Sequence, residues 1–159
     1  MFRVGFGQDS HRFSVDPTRK LVLGGAIVAE EPGLDGNSDA DVVLHALCCS
    51  LEQAIGRDGF SQYAGEMCQR GIVDSRAYVE VARSHVEAAG YRINNVGVTI
   101  EALCPRIDPL RAVMKANIAH LLGISVDAIG INATSGEQMT PFGQGAGIQA
   151  FVIVSLEQR

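Results

Sequence analysis

Apolar positions along the chain recur with two periods, and each period predicts an element. Val96, Val98, Ile100 and Ala102 alternate with Asn95, Gly97, Thr99 and Glu101, the two-residue period of a strand with one buried face. Ile129 to Thr134 reads as a further strand, and Ile148 to Leu156 as a nearly continuous buried one. Phe2 to Phe6 predicts a first strand leading into Asp9 and His11, and Lys20 to Ala29 a hairpin that turns at Gly24-Gly25. Elsewhere apolar residues return three or four positions apart. Asp39 to about Ile55 predicts a helix, with Ser38 as its cap and Asp41 completing a reciprocal capping box. Asp74-Ser75 starts a second helix, whose Val79, Ala82 and Val86 share a face and whose stop is Gly90. Asp108-Pro109 opens a third, striped by Leu110, Val113, Met114, Ile118 and Leu121 and ended by Gly123. Glu31-Pro32-Gly33 marks a loop, and residues 56–71, which show no clear period, are expected as a mobile loop with room for a helical turn. Helices segregate from strand pairs, so the expected fold class is α+β: a single domain over residues 1–159, with helices packed on one face of a sheet.

Composition changes this picture mainly by exclusion. A chain of 159 residues, 47% hydrophobic, has room for one core. Its net charge of −5 leaves no basic stripe to neutralise phosphates, which argues against nucleic acid as a partner. No apolar run approaches the ~20 residues of a membrane span, and no secretory leader opens the chain, so a soluble, cytoplasmic protein is expected. Cys48, Cys49, Cys68 and Cys104 lack metal-type spacing and read as small buried hydrophobes in a reducing compartment.

The chemistry begins with His45. A lone histidine on a helix flank is more often structural than ligating. Asp9 and His11 change the balance: on an extended chain, residues two apart point to the same face. Asp9, His11 and His45 would then be three ligands of a divalent ion with one position open, the plan of a catalytic zinc site. His85 and His120 sit mid-helix with no acidic or histidine partner at helical spacing, and read as structural. Thr134-Ser135-Gly136-Glu137 follows a strand directly. Two readings of it stand: a polar turn, or a cradle whose hydroxyls and N–H groups hold phosphate oxygens while Glu137 holds a second, harder cation. Arg106, after Cys104-Pro105, is in the same way either a solvated charge or a fork donor to phosphate.

Several stretches go further when taken together: Gly-Gln-Asp-Ser-His-Arg-Phe near the start, Gly24-Gly25, Asn37-Ser-Asp-Ala-Asp-Val-Val-Leu-His-Ala-Leu47, Asp74-Ser75-Arg76, Asn95-Val96 and Ala133-Thr-Ser-Gly-Glu137. In that order the chain resembles the 2-C-methyl-D-erythritol 2,4-cyclodiphosphate synthase family over nearly its whole length, as a divergent member. The resemblance implies a homotrimer with active sites between neighbouring subunits. It also implies a cytidine diphosphate substrate, 4-diphosphocytidyl-2-C-methyl-D-erythritol 2-phosphate, cyclised with loss of CMP on the non-mevalonate route to isoprenoids. Asp9, His11 and His45 match the zinc ligands, and Glu137 the residue that serves a Mg²⁺ or Mn²⁺ ion through the diphosphate. Asn37 and Ser135 carry over as the catalytic pair. Substrate contacts fall on Asp9, His11, Asn37, Ser38, His45 and Asp58, on Ala102, Leu103, Cys104, Pro105 and Arg106, and on Thr134, Ser135, Gly136, Glu137 and Phe142.

The chain also departs from the family pattern. Asn37 stands where that pattern has His, Ser135 where it has Thr, Asn132 where it has Lys, and Gln144 where it has Arg, while Ala146 replaces an acidic residue. Asn132 and Gln144 favour an alternative, a non-catalytic metal-containing trimer that binds a phosphorylated isoprenoid or nucleotide. Intact Ser135 and Glu137 oppose it.

Overall fold

The structure, a computed structural model, describes residues 1–159 except the side chain of Glu30. The elements in chain order are β1 (Phe2–Arg12), β2 (Lys20–Leu23), β3 (Ala26–Pro32), α1 (Val42–Ala54), α2 (Ser61–Gln69), α3 (Ser75–Ala88), β4 (Tyr91–Glu101), α4 (Arg111–Leu122), β5 (Ile129–Thr134) and β6 (Gly147–Gln158). Four strands form a sheet in the order β1-β6-β4-β5, and β2 pairs with β3 as a separate hairpin. β4 and β5 are parallel, and the other neighbours are antiparallel. The α+β class and the packing of helices on one sheet face are as expected. No helix among the described residues is long and apolar enough to cross a membrane.

α1 is the centre of the core. Val42, Val43, Leu44, Ala46, Leu47, Cys48 and Leu51 are buried, each large side chain contributing about 1.5–3 kcal/mol. The helix lies directly on β1 because Gly5 and Gly7 present no side chain: a Cβ at either would run into the carbonyl oxygens of Ser50 and Ala46. Odd-numbered residues of β1 therefore face α1, while Phe2, Val4 and Phe6 point to the opposite, open face of the sheet.

The start of α1 differs from the expected capping box. Asp41, not Ser38, is the cap; its Oδ1 accepts from Val43 N–H and Leu44 N–H, both at 3.1 Å. The same carboxylate accepts from Gly24 N–H at 2.9 Å and Gly25 N–H at 2.7 Å, tying the hairpin turn to the helix. Both turn glycines have positive φ, the conformation a tight two-residue turn asks for. Ser38 instead accepts the Ala40 N–H at 3.1 Å.

Residues 56–71 are also not a loop throughout. Phe60, Tyr63, Ala64, Met67 and Cys68 recur at the three-and-four spacing of a helix face, and α2 buries that face against the core. Glycines and charges on its other side mask the stripe. β3 continues through Glu31 and Pro32, where a loop was expected. In α4, Met114, Ile118 and Leu121 are buried as expected, but Val113 is 44% exposed, its place taken by Ala119 and Leu122. β6 is not buried on both sides. Ile148, Ala150, Val152, Val154 and Leu156 are core, whereas Ile153 is half exposed on the open face. All four cysteines are free, but only Cys48 is fully buried.

Candidate active site

Alternation along β1 places Asp9 and His11 on the α1 side, just beyond the two glycines over which the helix lies. His45, in the first turns of α1, is 6% exposed and turns its ring toward them. Its Nδ1 lies 2.9 Å from Asp9 Oδ2, and His11 Nε2 lies 3.1 Å from the same oxygen. Burial by itself would raise the Asp9 carboxyl, but the hydrogen bonds to His11 and His45 outweigh it and hold the group well below the usual carboxylate range. The Asp9 hydrogen bond in turn raises His11 above its ordinary value, against its own burial. One oxygen and two imidazole nitrogens thus stand within 4.8 Å of one another. That is the donor set of a divalent transition ion such as zinc, and this group can hold one.

The cluster opens on a cavity of about 620 Å³. Asp9, His11, Asn37, Ser38 and His45 line one side; Phe60, Ser61, Ala64, Gly65, Cys68 and Gln69 line the other, with Tyr78 from α3. The Phe60 ring lies 5.1 Å from the His45 ring and the Tyr78 ring 6.2 Å away, so His45 is shielded from water on its apolar side. The wall supplied by α2 and Tyr78 was not foreseen in the sequence. Its signal in the sequence is the spacing of Phe60, Ala64 and Cys68, which the glycines and charges around it obscure. Asp58 is exposed in the segment before α2 and does not line this cavity.

A second, shallower groove of about 230 Å³ lies where β4 and β5 end. Ala102, Leu103, Pro105, Arg106, Thr134 and Ser135 line it. Two backbone bonds join its walls, Ala102 N–H to Thr134 O at 3.1 Å and Leu103 N–H to Phe142 O at 3.2 Å. Thr134 Oγ1 accepts the Gly136 N–H at 2.9 Å. Gly136, Glu137 and Gln138 all have positive φ, which curls the chain and leaves Glu137 exposed. Behind the turn, the buried Glu101 carboxylate accepts a hydrogen bond from Thr140 and fills the space beside Gly136. Cys104 is half buried, its thiol raised by burial, and it does not line the groove.

The two groups of predicted site residues do not meet within the chain. Sheet pairing sets Ser10, Gln149, Glu101 and Thr134 in one row across β1, β6, β4 and β5. The metal-type cluster is therefore at one edge of the sheet and the Ser135 groove at the other, about 14 Å away at ~4.8 Å per strand. Asn132 is on the open face with Phe6, Phe151 and Ile153, and Gln144 donates to Gln138 O at 2.9 Å. His120 is exposed; His85 does find a partner that helical spacing could not show, with Nδ1 2.7 Å from Oε1 of the buried Glu52.

Comparison with known proteins extends over the same length. Residues 2–157 match the YgbB family. A 2-C-methyl-D-erythritol 2,4-cyclodiphosphate synthase of Chlamydia muridarum (strain MoPn / Nigg) is 39% identical over 158 residues, covering 98% of this chain and 88% of the relative. The crystal structure of the synthase of that name from Plasmodium vivax is 28% identical with a TM-score of 0.85, covering 100% of this chain and 99% of the other. A further synthase structure, in a form with CDP bound, is 26% identical with a TM-score of 0.87, covering 98% and 100%.

Proposed function

The chain belongs to the YgbB family, and on that footing we propose that it makes 2-C-methyl-D-erythritol 2,4-cyclodiphosphate, closing the ring of 4-diphosphocytidyl-2-C-methyl-D-erythritol 2-phosphate and releasing CMP. The observation that carries this reading is the Asp9, His11 and His45 cluster facing a cavity large enough for a phosphorylated polyol. An oxygen of the 2-phosphate forms the new bond to the β-phosphorus. The bond from that phosphorus to the oxygen bridging the diphosphate breaks, and CMP leaves with the oxygen and its electron pair.

The protein's part is positioning and neutralisation of charge. Zinc held by Asp9, His11 and His45 would supply a Lewis acid to a phosphoryl oxygen, and Mg²⁺ or Mn²⁺ held through the diphosphate by Glu137 a second positive charge. Asn37 and Ser38 stand beside the cluster to orient the 2-phosphate. The Thr134 and Ser135 hydroxyls donate to the diphosphate, Arg106 adds a cationic fork, and the backbone from Ala102 to Arg106 holds the cytidine, with Phe142 and Gly136 bracing the groove. Asp58, exposed in the segment before α2 and outside the cavity of its own chain, is assigned to the diphosphate by the family resemblance alone.

Separation of the two half-sites by the width of the sheet supports an active site shared between subunits. The open sheet face supports the same assembly. Phe2, Val4, Phe6 and Ile153 are 67%, 62%, 51% and 50% exposed, an apolar surface a homotrimer would cover. The whole of residues 1–159 acts as one such domain. Incubating purified protein with the substrate, Zn²⁺ and Mg²⁺ and following phosphorus by NMR tests the reading. Equimolar CMP and a cyclic diphosphate are expected. CMP with a linear product would mean a hydrolase, and no turnover with retained nucleotide binding would mean the binding trimer that Asn132 and Gln144 favour.

A further inference from the structure

His45 can offer a metal either of two nitrogens, and only one faces Asp9 and His11. We infer that Asp39 and Ser75 are positioning residues that fix the tautomer of His45, placing its proton on Nε2 and leaving the Nδ1 lone pair for the metal. The inference rests on the metal reading given above for Asp9, His11 and His45.

Asp39 is an acceptor, and three donors surround it: Asp41 N–H at 3.2 Å, Ser75 N–H at 3.1 Å, and the Ser75 hydroxyl. A carboxylate offers only lone pairs, so the Ser75 hydroxyl is the donor in that contact. Toward His45, then, Ser75 Oγ has only lone pairs to present. His45 Nε2 lies 2.8 Å from that oxygen, so Nε2 must carry the hydrogen. Ser38 Oγ, which accepts the Ala40 N–H, is a second and longer acceptor at 3.3 Å. A neutral imidazole has one N–H, so Nδ1 is left with its lone pair aimed at Asp9 Oδ2, 2.9 Å away. Facing lone pairs repel unless a cation stands between them: without metal a proton serves, as in the hydrogen bonds that hold the Asp9 carboxyl low, and a bound metal would take that proton's place.

The surroundings favour this arrangement over exchange with water. Ser75 is fully buried and His45 nearly so. Asp39 is fixed to the approach to α3, since its N–H donates to Val73 O at 2.9 Å. Helix capping does not need the Ser75 hydroxyl, because Asp74 is the cap of α3 and accepts the Arg76 N–H at 3.0 Å.

Histidine-selective ¹⁵N labelling with two-bond proton–nitrogen spectra reads the tautomer of His45 in the zinc-loaded wild-type protein, while chelator competition reads zinc affinity. The expected spectrum shows the proton on Nε2. Ser75→Ala should weaken zinc binding by about 10–100-fold, the usual cost of losing a hydrogen-bond partner behind a metal ligand, and Ser75→Thr, which keeps the hydroxyl, should restore most of it. A purely structural Ser75 would lower the melting temperature without moving the tautomer or the affinity. A wild-type spectrum with the proton on Nδ1 overturns the inference even if no variant folds, as does Ser75→Ala binding zinc like wild type. Wild-type protein that takes up no zinc overturns the metal reading and the relay with it.

Discussion

Asp9 shows how much one side chain decides. Its Oδ2 takes both imidazoles, and without a metal ion those contacts are satisfied by protons. Zinc must displace the proton that the Asp9 hydrogen bond holds on His11, and that hydrogen bond raises the pH at which His11 loses it. The sign follows: zinc affinity is full above the raised His11 value and falls as pH drops through it, with protons released on binding. Chelator competition between about pH 6 and 8, the range in which histidine titrates, should show affinity rising with pH; a flat profile would contradict the assignment of His11. His45→Ala leaves two ligands and should abolish stoichiometric zinc by elemental analysis, with full occupancy sinking the site. Ser135 is a different case, because its hydroxyl is to act as charge builds on the attacked phosphorus. Loss of one such donor costs about 3 kcal/mol, roughly a hundredfold in rate. Ser135→Ala should therefore lower kcat by that factor with zinc content unchanged, and Ser135→Thr should be tolerated; a wild-type rate in the alanine variant would make this turn only a turn.

At the scale of elements, the junction of α1 with the β2–β3 hairpin concentrates stability in Asp41. Burial pushes its carboxyl up to about 6, and the N–H groups of Gly25, Leu44 and Gly24 oppose that rise. Asp41→Ala removes a helix cap, worth about 1 kcal/mol, and strands the N–H groups of Gly24 and Gly25, at about 1–3 kcal/mol for each that stays buried without a partner. A loss of about 3 kcal/mol is expected, near 10 °C in melting temperature for a chain of this size. A shift under about 2 °C would show that water or backbone rearrangement replaces the carboxylate. α2 teaches a complementary lesson. Its stripe from Phe60 to Cys68 is in the sequence, but only packing against α1 and α3 shows that the same stripe walls the cavity beside Asp9, His11 and His45.

For the whole molecule, the one-sided sheet has two consequences. Helices cover one face, and the other leaves Phe2, Val4, Phe6 and Ile153 open. In solution the protein should sediment at about three times its 16.9 kDa chain mass. Ile153→Asp sets a charge on that face and should yield monomers. Asp9, His11 and His45, which can hold a metal, belong to one chain, while the Ser135 groove lies at the opposite edge of the sheet. A monomeric variant should accordingly keep its zinc and lose cyclisation. A monomer that still forms the cyclic product would refute the shared site.

Much of this was legible in the sequence because it is local. Alternation at Val96 to Ile100, the three-and-four spacing of Val79, Ala82 and Val86, and the glycines ending helices each act within a few residues. The i, i+2 pair of Asp9 and His11 is local in the same sense; its ligand chemistry already suggests His45 as the third donor, and the motif resemblance agrees. What the sequence could not yield depends on groups brought together from far apart. Asp41 meets Gly24 and Gly25 only once the hairpin has folded onto α1, which is why Ser38 looked like the cap. His85 looked partnerless until α3 packed on α1 and met Glu52. Ser75 reads as part of a helix start, and its contacts with Asp39 and His45, 36 and 30 residues away in the chain, exist only because the starts of α1 and α3 converge. Strand order was equally out of reach, since β1 pairs with the last strand rather than its sequence neighbours. Local propensities determined the elements, whereas long-range burial decided which polar groups had to find one another.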